Sequence, residues 1–386
     1  MNIMKNKYLI FLLLLTAFSV SSCIQDEAPN AECDILSVDT TNVWFQHNKD
    51  ILTGDFKVNN RDIVFIVKKE TDFNSIVINC DSIIDAFTLT PGARIEGNNI
   101  ESDNNGIYLY FTTYSEDSKW NKTYTVKFIK IPALDIDHVF NFENHETSSF
   151  TSWYEINNDG IRSDIWSSGN AGFKLVASKK PAEEYPTTTY KEGFSGNCIK
   201  LTTCDTGTMG KLSKMPIAAG SIFIGEFDSG SAMKAPLEAT RMGMQILPAN
   251  AKPVKLTGYY RYTPGETFTD KNKKEVVGRR DACAIYAVVF EADPKNFVPL
   301  NGENVTSSDR IVLIAEMQNP GEPTGWERFE IPFEPRNGKE FDYDKLADNE
   351  YAITVVASSS KDGAFFEGAI GSTLLVDEIK IEWEQK

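Results

Sequence analysis

The chain has 386 residues, of which 41% are hydrophobic and 24 are phenylalanine, so it can build a sizeable core. At about 150 residues per domain, this length predicts two or three domains. The net charge of −16 argues against a nucleic-acid partner, because Lys and Arg contacts to phosphate dominate that affinity. It also argues against adhesion to anionic lipid. Neutral partners, cationic partners and divalent metal ions remain compatible with it.

The first 22 residues are predicted to be a secretory signal. Lys5 and Lys7 precede an apolar run, Tyr8–Leu15, and small residues lead to Cys23. This order is typical of a signal peptide, and its end resembles a bacterial lipobox. The resemblance implies cleavage before Cys23 and acylation of that cysteine. The alternative is an ordinary signal peptide followed by an accidental cysteine. The run is too short to span a bilayer core of about 30 Å, whereas two or more acyl chains anchor stably.

Residues 23–33 are predicted to be a polar tether with no helical or strand period. Asp26 and Glu27 resemble the acidic export signal of surface lipoproteins in the Bacteroides group, although a solvated linker would also carry such residues. The expected location is the outer membrane, lipid-anchored and facing the cell exterior. The lipid is then the only contact with the membrane. Removing residues 1–22 removes two lysines and leaves a net charge of −18.

Residues 34–132 alternate strand-like runs with turns. The runs are Ile63–Val67, Ile76–Ile78, Ile107–Phe111 and Thr123–Phe128. In the last run, alternate residues are apolar, as in a half-buried strand. Short strands with turn signals every 8–12 residues or so indicate a small antiparallel sandwich. The length of about 100 residues suits an immunoglobulin-like domain.

Residues 135–386 are also rich in strands, so the whole chain is predicted to be all-β. Clear runs include 282–289, 310–317, 351–357 and 373–383. No amphipathic helix of 12 residues is evident, and Asp342–Asp348 is expected to form one helical turn. Consecutive strands without crossover helices require antiparallel sheets. A two-sheet jelly roll is the architecture that suits this length.

The cysteines and motifs exclude several chemistries. Besides Cys23 there are five widely spaced cysteines and no CxxC pair, so a zinc site or a disulfide framework is not indicated. We predict that they are small buried hydrophobic residues, with a Cys198–Cys204 pair left open. The sequence has no GxSxG, HExxH, Walker or dinucleotide motif. Three histidines leave almost nothing for a catalytic triad or a multi-histidine metal site.

The two ends of the second region resemble the terminal strands of carbohydrate-binding jelly rolls. The region opens with Phe-Glu-Asn at 142–144 and closes with Val-Asp-Glu-Ile-Lys-Ile-Glu-Trp at 376–383. The resemblance implies a structural calcium ion near acidic residues. Strand parity places Asp377 on the face of Ile379, the expected core side, where a carboxylate needs hydrogen bonds or a cation. We therefore predict calcium at Asp377 and Glu143, with backbone N–H groups around Asp377 as the alternative.

Four longer stretches resemble a narrower family. They are Trp-Ser-Ser-Gly-Asn at 166–170, residues 221–227, the Pro-to-Tyr strand at 253–262, and the segment 358–378 that includes Ser-Ser-Ser-Lys-Asp-Gly and Val-Asp-Glu. Together they resemble the putative carbohydrate metabolism domain of Bacteroidetes lipoproteins, preceded by an immunoglobulin-like domain. The resemblance implies a jelly roll, a polysaccharide or oligosaccharide partner, and other surface glycan-utilisation proteins as possible companions.

The sugar-binding candidates lie in one polar segment. Sugar recognition needs aromatic faces for C–H patches and planar polar groups for hydroxyls, and such groups are usually found on loops. The candidates are Trp153, Tyr154, Arg162, Asp164, Trp166 and Asn170. For each aromatic residue, burial in the core is the alternative. Tyr259, Tyr260 and Tyr262 form a second set, of which one face is expected to be core.

The leading hypothesis is a surface lipoprotein that binds glycans in polysaccharide capture or processing. A glycoside hydrolase is the first alternative, and it would need two carboxylates about 5–5.5 Å or 6.5–9.5 Å apart. Asp164, Glu143, Glu367 and Asp377 are its candidate members, and whether the protein is an enzyme stays open. A structural or adhesive surface protein without a sugar site is the second alternative.

Overall fold

A computed structural model describes residues 30–386, except 50, 60, 68–72, 74–80, 103–105, 131–132, 159–161, 249 and 295. The predicted signal peptide, Cys23, tether residues 23–29, the predicted strand Ile76–Ile78 and Cys80 lie outside the described residues. Within the described ranges, no helix combines the length and the apolar character needed to cross a membrane.

The N-terminal region is a small β domain with two short helices. Its described elements are β1 (Ile35–Val38), α1 (Val43–His47), β2 (Leu52–Asn59), β3 (Asp62–Val67), α2 (Asp81–Ile84), β4 (Phe87–Leu89), β5 (Arg94–Ser102), β6 (Gly106–Tyr114) and β7 (Asn121–Lys130). Five strands form a sheet in the order β2-β3-β7-β6-β5, and β1 pairs with β4. Alternation in β6 explains its burial, because Ile107, Leu109 and Phe111 face the core while their neighbours are less buried.

One strand pair in this domain differs from the antiparallel prediction. β3 and β7 run parallel, with Ile63 opposite Val126. They are separated by more than fifty residues of chain, and a parallel pair needs such a long connection. A core formed by β3, β6, β7 and α1 joins them, and it includes Trp44, Phe65 and Phe128.

The C-terminal region contains the remaining elements. The strands are β8 (Val139–Phe140), β9 (His145–Thr147), β10 (Thr151–Trp153), β11 (Glu155–Ile156), β12 (Arg162–Ser163), β13 (Trp166–Ser168), β14 (Thr187–Tyr190), β15 (Cys198–Thr202), β16 (Cys204–Asp205), β17 (Ile217–Ala218), β18 (Ser221–Phe227), β19 (Thr240–Met242), β20 (Ala251–Thr263), β21 (Phe268–Thr269), β22 (Ala284–Glu291), β23 (Ile311–Glu316), β24 (Glu327–Pro332), β25 (Glu334–Pro335), β26 (Tyr351–Ser358), β27 (Gly368–Ala369) and β28 (Thr373–Gln385). The helices are α3 (Asn170–Ala177), α4 (Gly207–Leu212), α5 (Pro236–Ala239) and α6 (Tyr343–Ala347), with single 3-10 turns at Ala182–Glu184 and Gly363–Phe365.

Two antiparallel sheets form a jelly roll, so the all-β prediction is confirmed. A seven-stranded sheet has the order β13-β18-β26-β22-β23-β25, with β19 on β18. A six-stranded sheet has the order β14-β15-β28-β20-β24, with β8 on β28. Their facing sides enclose the main core, which includes Ile222, Ile285, Ile353, Tyr262 and Val376. Helix α6 is the single turn predicted over Asp342–Asp348, and Asp342 accepts a hydrogen bond from the Asp344 N–H at its start.

A bulge in β28 reverses the predicted orientation of Asp377. Leu374 and Val376 face the core, and so do Ile379 and Ile381. This change of parity occurs at Glu378, whose φ is +50°, and the pairing of β20 with β28 shifts register at the same place. One extra residue in a strand has this effect. Asp377 is therefore buried on the outer side of the six-stranded sheet, and the parity prediction was wrong.

The cysteines behave as predicted where they are described. Cys33, Cys198 and Cys283 are buried, Cys204 is half-buried, and all four are free. Cys198 and Cys204 do not pair. Burial raises the pKa of the Cys198 thiol to about 12, so this thiol stays protonated and unreactive at neutral pH.

Candidate functional site

The two tryptophans predicted to stack on sugars are buried. Trp153 and Trp166 are 3% and 6% exposed, and both line a small, partly open cavity of about 150 Å³. The Trp166 indole N–H donates to Glu155 Oε1 at 2.6 Å, and His138 lies 2.9 Å from the other oxygen of that buried carboxylate. Neither ring presents a face to solvent. The prediction that they form a sugar-stacking surface is therefore corrected.

Asn170 is also a structural residue. Its side-chain amide donates to the Thr187 carbonyl at 2.7 Å, and its oxygen accepts the Thr187 N–H at 3.1 Å. The residue is fully buried. Because both ends of the amide bond Thr187, Asn170 joins the start of α3 to β14, and its burial keeps it from a ligand in solution.

The remaining members of the predicted segment meet at the surface. The Arg162 guanidinium lies 3.9 Å from the centre of the Tyr154 ring and pairs with Asp164 at 2.9 Å and Glu146 at 2.5 Å. Tyr154, Arg162 and Asp164 are thus brought together, as predicted, but their polar groups bind one another. Their role in ligand binding stays a prediction.

Asp377 and Glu143 both hold the loop at residues 193–197. Asp377 accepts the N–H groups of Ser195 at 3.0 Å and Glu378 at 2.8 Å. Glu143 accepts the backbone and side-chain N–H groups of Asn197 at 2.6 and 2.5 Å. This is the alternative considered for Asp377, a carboxylate tied to the backbone. Burial raises the pKa of Asp377 to about 6, and it also raises the pKa of Glu378.

These carboxylates do not form an evident metal cage. In the parts of the chain that the structure describes, no three His, Cys, Asp or Glu side chains are arranged to hold a metal ion. The oxygens of Asp377 and Glu143 instead face N–H donors, which compete with a cation for their lone pairs. The calcium site therefore stays a prediction.

A concave site lies on the outer face of the seven-stranded sheet. Alternate residues of β18, β22 and β26 point away from the main core there. Helices α3 and α5 and the 3-10 turn at Gly363–Phe365 cover them incompletely and leave a mostly apolar cavity of about 190 Å³. Side chains with contrasting chemistry line it, including Phe173, Phe227, Tyr286, Val356, Ser360 and Lys361.

A wider open space of about 560 Å³ adjoins this cavity. Pro236, Leu237 and Phe366 line both spaces. The open part also contains three glutamates and two lysines, namely Glu238, Glu303, Glu367, Lys234 and Lys271. Phe365 lies at its rim and is 49% exposed. We refer to the cavity and the open part together as the groove.

One wall of the groove is the segment at residues 358–372, which is part of the family resemblance. Hydrogen bonds to a buried carboxylate hold this segment in place. Asp281 is buried, and its Oδ2 accepts the Ser360 hydroxyl at 2.6 Å, the Ala369 N–H at 2.7 Å and the Ser372 hydroxyl at 2.7 Å. Arg279 pairs with Asp362 at 2.6 Å and Glu367 at 3.4 Å. These bonds fix the wall that presents Phe365 and Glu367.

Of the four carboxylates predicted for hydrolysis, only Glu367 lines the groove. Asp164 pairs with Arg162, and Glu143 and Asp377 support a loop. Sequence reasoning missed Tyr286, Glu238 and Glu303. The alternating run at 284–291 could have revealed Tyr286 as a residue on the outer face, because Ile285 and Ala287 face the core. Burial raises the pKa of Tyr286, so its phenol remains a hydrogen-bond donor at neutral pH.

The fold and the groove define a two-sheet jelly roll with a concave site on the outer face of one sheet. A family model described as "Putative carbohydrate metabolism domain" matches residues 141–382, and the chain belongs to this family. Its function is therefore carbohydrate-related.

Two solved structures are similar to the chain. A putative glycoside hydrolase from Bacteroides thetaiotaomicron is 35% identical with a TM-score of 0.74, over 94% of this chain and 100% of that chain. A putative glycoside hydrolase from Bacteroides vulgatus is 37% identical with a TM-score of 0.60, over 66% of this chain and 100% of that chain. The search of curated proteins gave no match.

Proposed function

We propose that this protein is a lipid-anchored surface protein that binds glycans in the groove of its jelly roll. The observation that carries the proposal is the composition of the groove. An apolar cavity with Tyr286 on its floor opens into a space with carboxylates, lysines and the exposed Phe365. Pockets that bind small molecules combine apolar walls with a few placed polar groups in this way.

The groove can supply both parts of sugar recognition. The rings of Phe365 and Phe366 provide apolar faces for the C–H side of a pyranose. Glu303 and Lys271 provide an acceptor and a donor for hydroxyl groups in the same open space. The groove is open along one side, so a chain longer than the cavity can extend out of it.

The proposed location rests on the lipobox at Cys23. A lipid at that residue, a polar tether and the N-terminal β domain would together hold the groove away from the membrane. Other surface glycan-utilisation proteins are the proposed companions. Mass spectrometry of the chain purified from membranes tests the lipid: an acylated Cys23 at the mature N-terminus is expected, and an unmodified chain beginning elsewhere contradicts it.

A glycan array probed with the full chain in detergent tests the binding proposal. We expect a set of polysaccharides to bind, and the Phe365→Ala variant to bind them at least fivefold more weakly because a stacking face is lost. Ile156→Ala is the matched control, since Ile156 is similarly exposed on β11, away from the groove. If no glycan binds, the structural or adhesive alternative replaces this proposal, and the burial of Trp153 and Trp166 would fit it.

Hydrolysis is the second candidate function, favoured by the glutamates of the open groove. A glycoside hydrolase needs one carboxyl group as an acid and another as a base or nucleophile. Glu367, paired with Arg279, and the exposed Glu303 are the members that the groove offers. Product analysis on each array hit tests this function. Sugar release that is abolished in Glu367→Gln or Glu303→Gln but kept in Glu334→Gln, outside the groove, would establish it.

A further inference from the structure

The outer face of the six-stranded sheet carries a second group of aromatic residues, of which Phe194 is exposed and Tyr259 and Trp326 are half-buried. In β20, Leu256, Tyr260 and Tyr262 face the core, so Tyr259 and Arg261 point outward by alternation. Phe194, in the loop before β15, lies flat on Tyr259, with ring centres 3.5 Å apart and planes 8° from parallel. Phe194 is 47% exposed. The stacked pair therefore offers an aromatic surface to solvent.

Two cations accompany this surface. Lys200 lies opposite Leu375, and Leu375 lies opposite Arg261, so the three side chains form one row across β15, β28 and β20. The Arg261 guanidinium is 6.0 Å from the centre of the Trp326 ring, just before β24. We call Phe194, Tyr259, Arg261, Trp326 and Lys200 the platform.

Two cations of the platform, Arg261 and Lys200, differ from the paired arginines of this acidic chain. Arg162 and Arg279 each pair with two carboxylates. Across the described residues, by contrast, no ion pair involves Arg261 or Lys200. Both are only half-buried, so water solvates them and a ligand can reach them.

The acidic groups near the platform are engaged elsewhere. Asp377 and Glu143 accept N–H groups of the loop at 193–197, which lies over Asp377. Glu192 accepts the Tyr190 hydroxyl at 3.2 Å. Arg328, opposite Tyr259 in the pairing of β20 with β24, pairs with Glu330 at 2.7 Å. These hydrogen bonds leave the carboxylates charged, but none of them pairs with Arg261 or Lys200 within the described residues. The two cations therefore remain available to an anionic ligand.

We propose that the platform is a second glycan-binding site and that it takes oligosaccharides containing uronic acid. A pyranose would stack on the Phe194 and Tyr259 pair or on Trp326, while its carboxylate meets Arg261. The planar guanidinium fork matches a carboxylate in a two-point contact, and Lys200 adds a second positive charge along the row. Charge complementarity thus selects an anionic sugar over a neutral one. The site is separate from the groove and does not depend on the function proposed there.

Calorimetric titration of the full chain in detergent with trigalacturonate tests this proposal. The methyl ester of the same trisaccharide is the matched probe, because it keeps the shape and loses the charge. We expect the ester to bind at least tenfold more weakly, since a charge-assisted hydrogen bond contributes about 1.5–3 kcal/mol, which is about 10–150-fold in affinity. Arg261→Gln should weaken trigalacturonate tenfold or more, and Phe194→Ala should weaken both probes.

Lys255→Gln is the control variant, because Lys255 lies farther along β20 and is paired with Glu330 and Glu382. It should leave trigalacturonate binding within twofold of the wild type. Equal affinity for acid and ester would overturn the proposed selectivity, and so would an Arg261→Gln variant that binds normally. Binding of a sulfated trisaccharide without binding of trigalacturonate would overturn the assignment to uronic acid. No binding by either trigalacturonate probe would overturn the site itself, whatever the groove binds.

Discussion

The two outer faces of the jelly roll are built in different ways. The groove lies where helices α3 and α5 and the 358–372 segment cover the seven-stranded sheet and enclose a cavity. The platform lies on strands of the six-stranded sheet and is open, with one loop folded over its edge. In the proposals above, the groove would select by shape, and the platform would use flat rings and two cations that have no carboxylate partner among the described residues. One core therefore supports two surfaces with different chemistry.

The difference also shows what each surface depends on. The groove wall is held by buried hydrogen bonds to Asp281, so it should fail when that network is broken. The platform strands are held by sheet pairing, and only the loop with Phe194 needs special support. Substitutions that remove one of these supports and keep the other test whether the two surfaces are independent.

Replacing Asp281 with alanine should have the largest effect. Three buried donors, two hydroxyls and one N–H, would lose their acceptor, and each unsatisfied buried group costs about 1–3 kcal/mol. We expect the free energy of unfolding to fall by about 4 kcal/mol in urea titrations, with loss of groove binding and retention of platform binding. Glu322→Ala is the control, because its pairing with Arg280 is at the surface and outside the 358–372 segment, and its loss should cost less than about 1 kcal/mol. Equal effects of the two variants would show that the network does not hold the groove wall.

The pH dependence of stability should report on the loop beneath the platform. The pKa of Asp377 is raised to about 6 from 3.8 by burial, so between these pH values the folded chain holds a proton that the unfolded chain has released. Its contribution is therefore greatest below about pH 4 and is lost as the pH rises through about 6. Relative to Asp377→Asn, the wild type should lose up to about 3 kcal/mol over this window, measured by urea unfolding at several pH values. A constant difference between the two proteins would contradict the raised pKa.

Calcium can be tested at the same carboxylates. A calcium ion held by Asp377 and Glu143 would favour the ionised form of Asp377, flatten this pH profile and raise the melting temperature at pH 7. The calcium prediction therefore expects a higher melting temperature with calcium than with a chelator in the wild type, and no difference in Asp377→Asn. A chelator-insensitive wild type would contradict the prediction and leave the backbone N–H groups as the support of the loop.

Much of the fold could be predicted from the sequence, because the alternation of apolar residues in strands and the absence of a 3.6-residue helical periodicity are local signals. The jelly roll and the helical turn at Asp342 follow from them. The orientation of Asp377 could not be predicted, since one residue with positive φ, Glu378, reverses the parity of the rest of β28.

The site was harder to predict than the fold. Trp166 is a residue type that often binds sugars, but its burial depends on an acceptor for its indole N–H. That acceptor, Glu155, is eleven residues away in the chain. Glu238, Glu303 and Glu367 come from three separate segments that only the tertiary fold brings to one groove. The pairing of Phe194 with Tyr259 likewise joins a loop to a strand sixty-five residues later.

Gly196 should be needed for the loop that carries Phe194. Its φ is +65°, and a Cβ added there would overlap Glu143 Oε1. Gly207 has a similar φ of +72°, with nothing within 4 Å of an added Cβ, so Gly207→Ala is the matched control for backbone strain alone. We expect Gly196→Ala to cost about 2 kcal/mol and the control about 1 kcal/mol in urea unfolding. Equal losses would mean that Glu143 moves freely and does not fix the loop.

The smallest expected effect concerns whether the platform is formed before any glycan arrives. Phe194 and Tyr259 stack directly on each other, and aromatic pairs contribute about 0.5–1.5 kcal/mol beyond their buried area. A double-mutant cycle with Phe194→Ala and Tyr259→Ala should therefore give a coupling energy in that range when unfolding is measured in urea. Phe194 and Phe365, which lie on the outer faces of different sheets, provide the control cycle and should be additive within about 0.5 kcal/mol. A coupling near zero for the stacked pair would mean that the platform is ordered only by its ligand. Coupling between the two phenylalanines would mean that the groove and the platform are not independent.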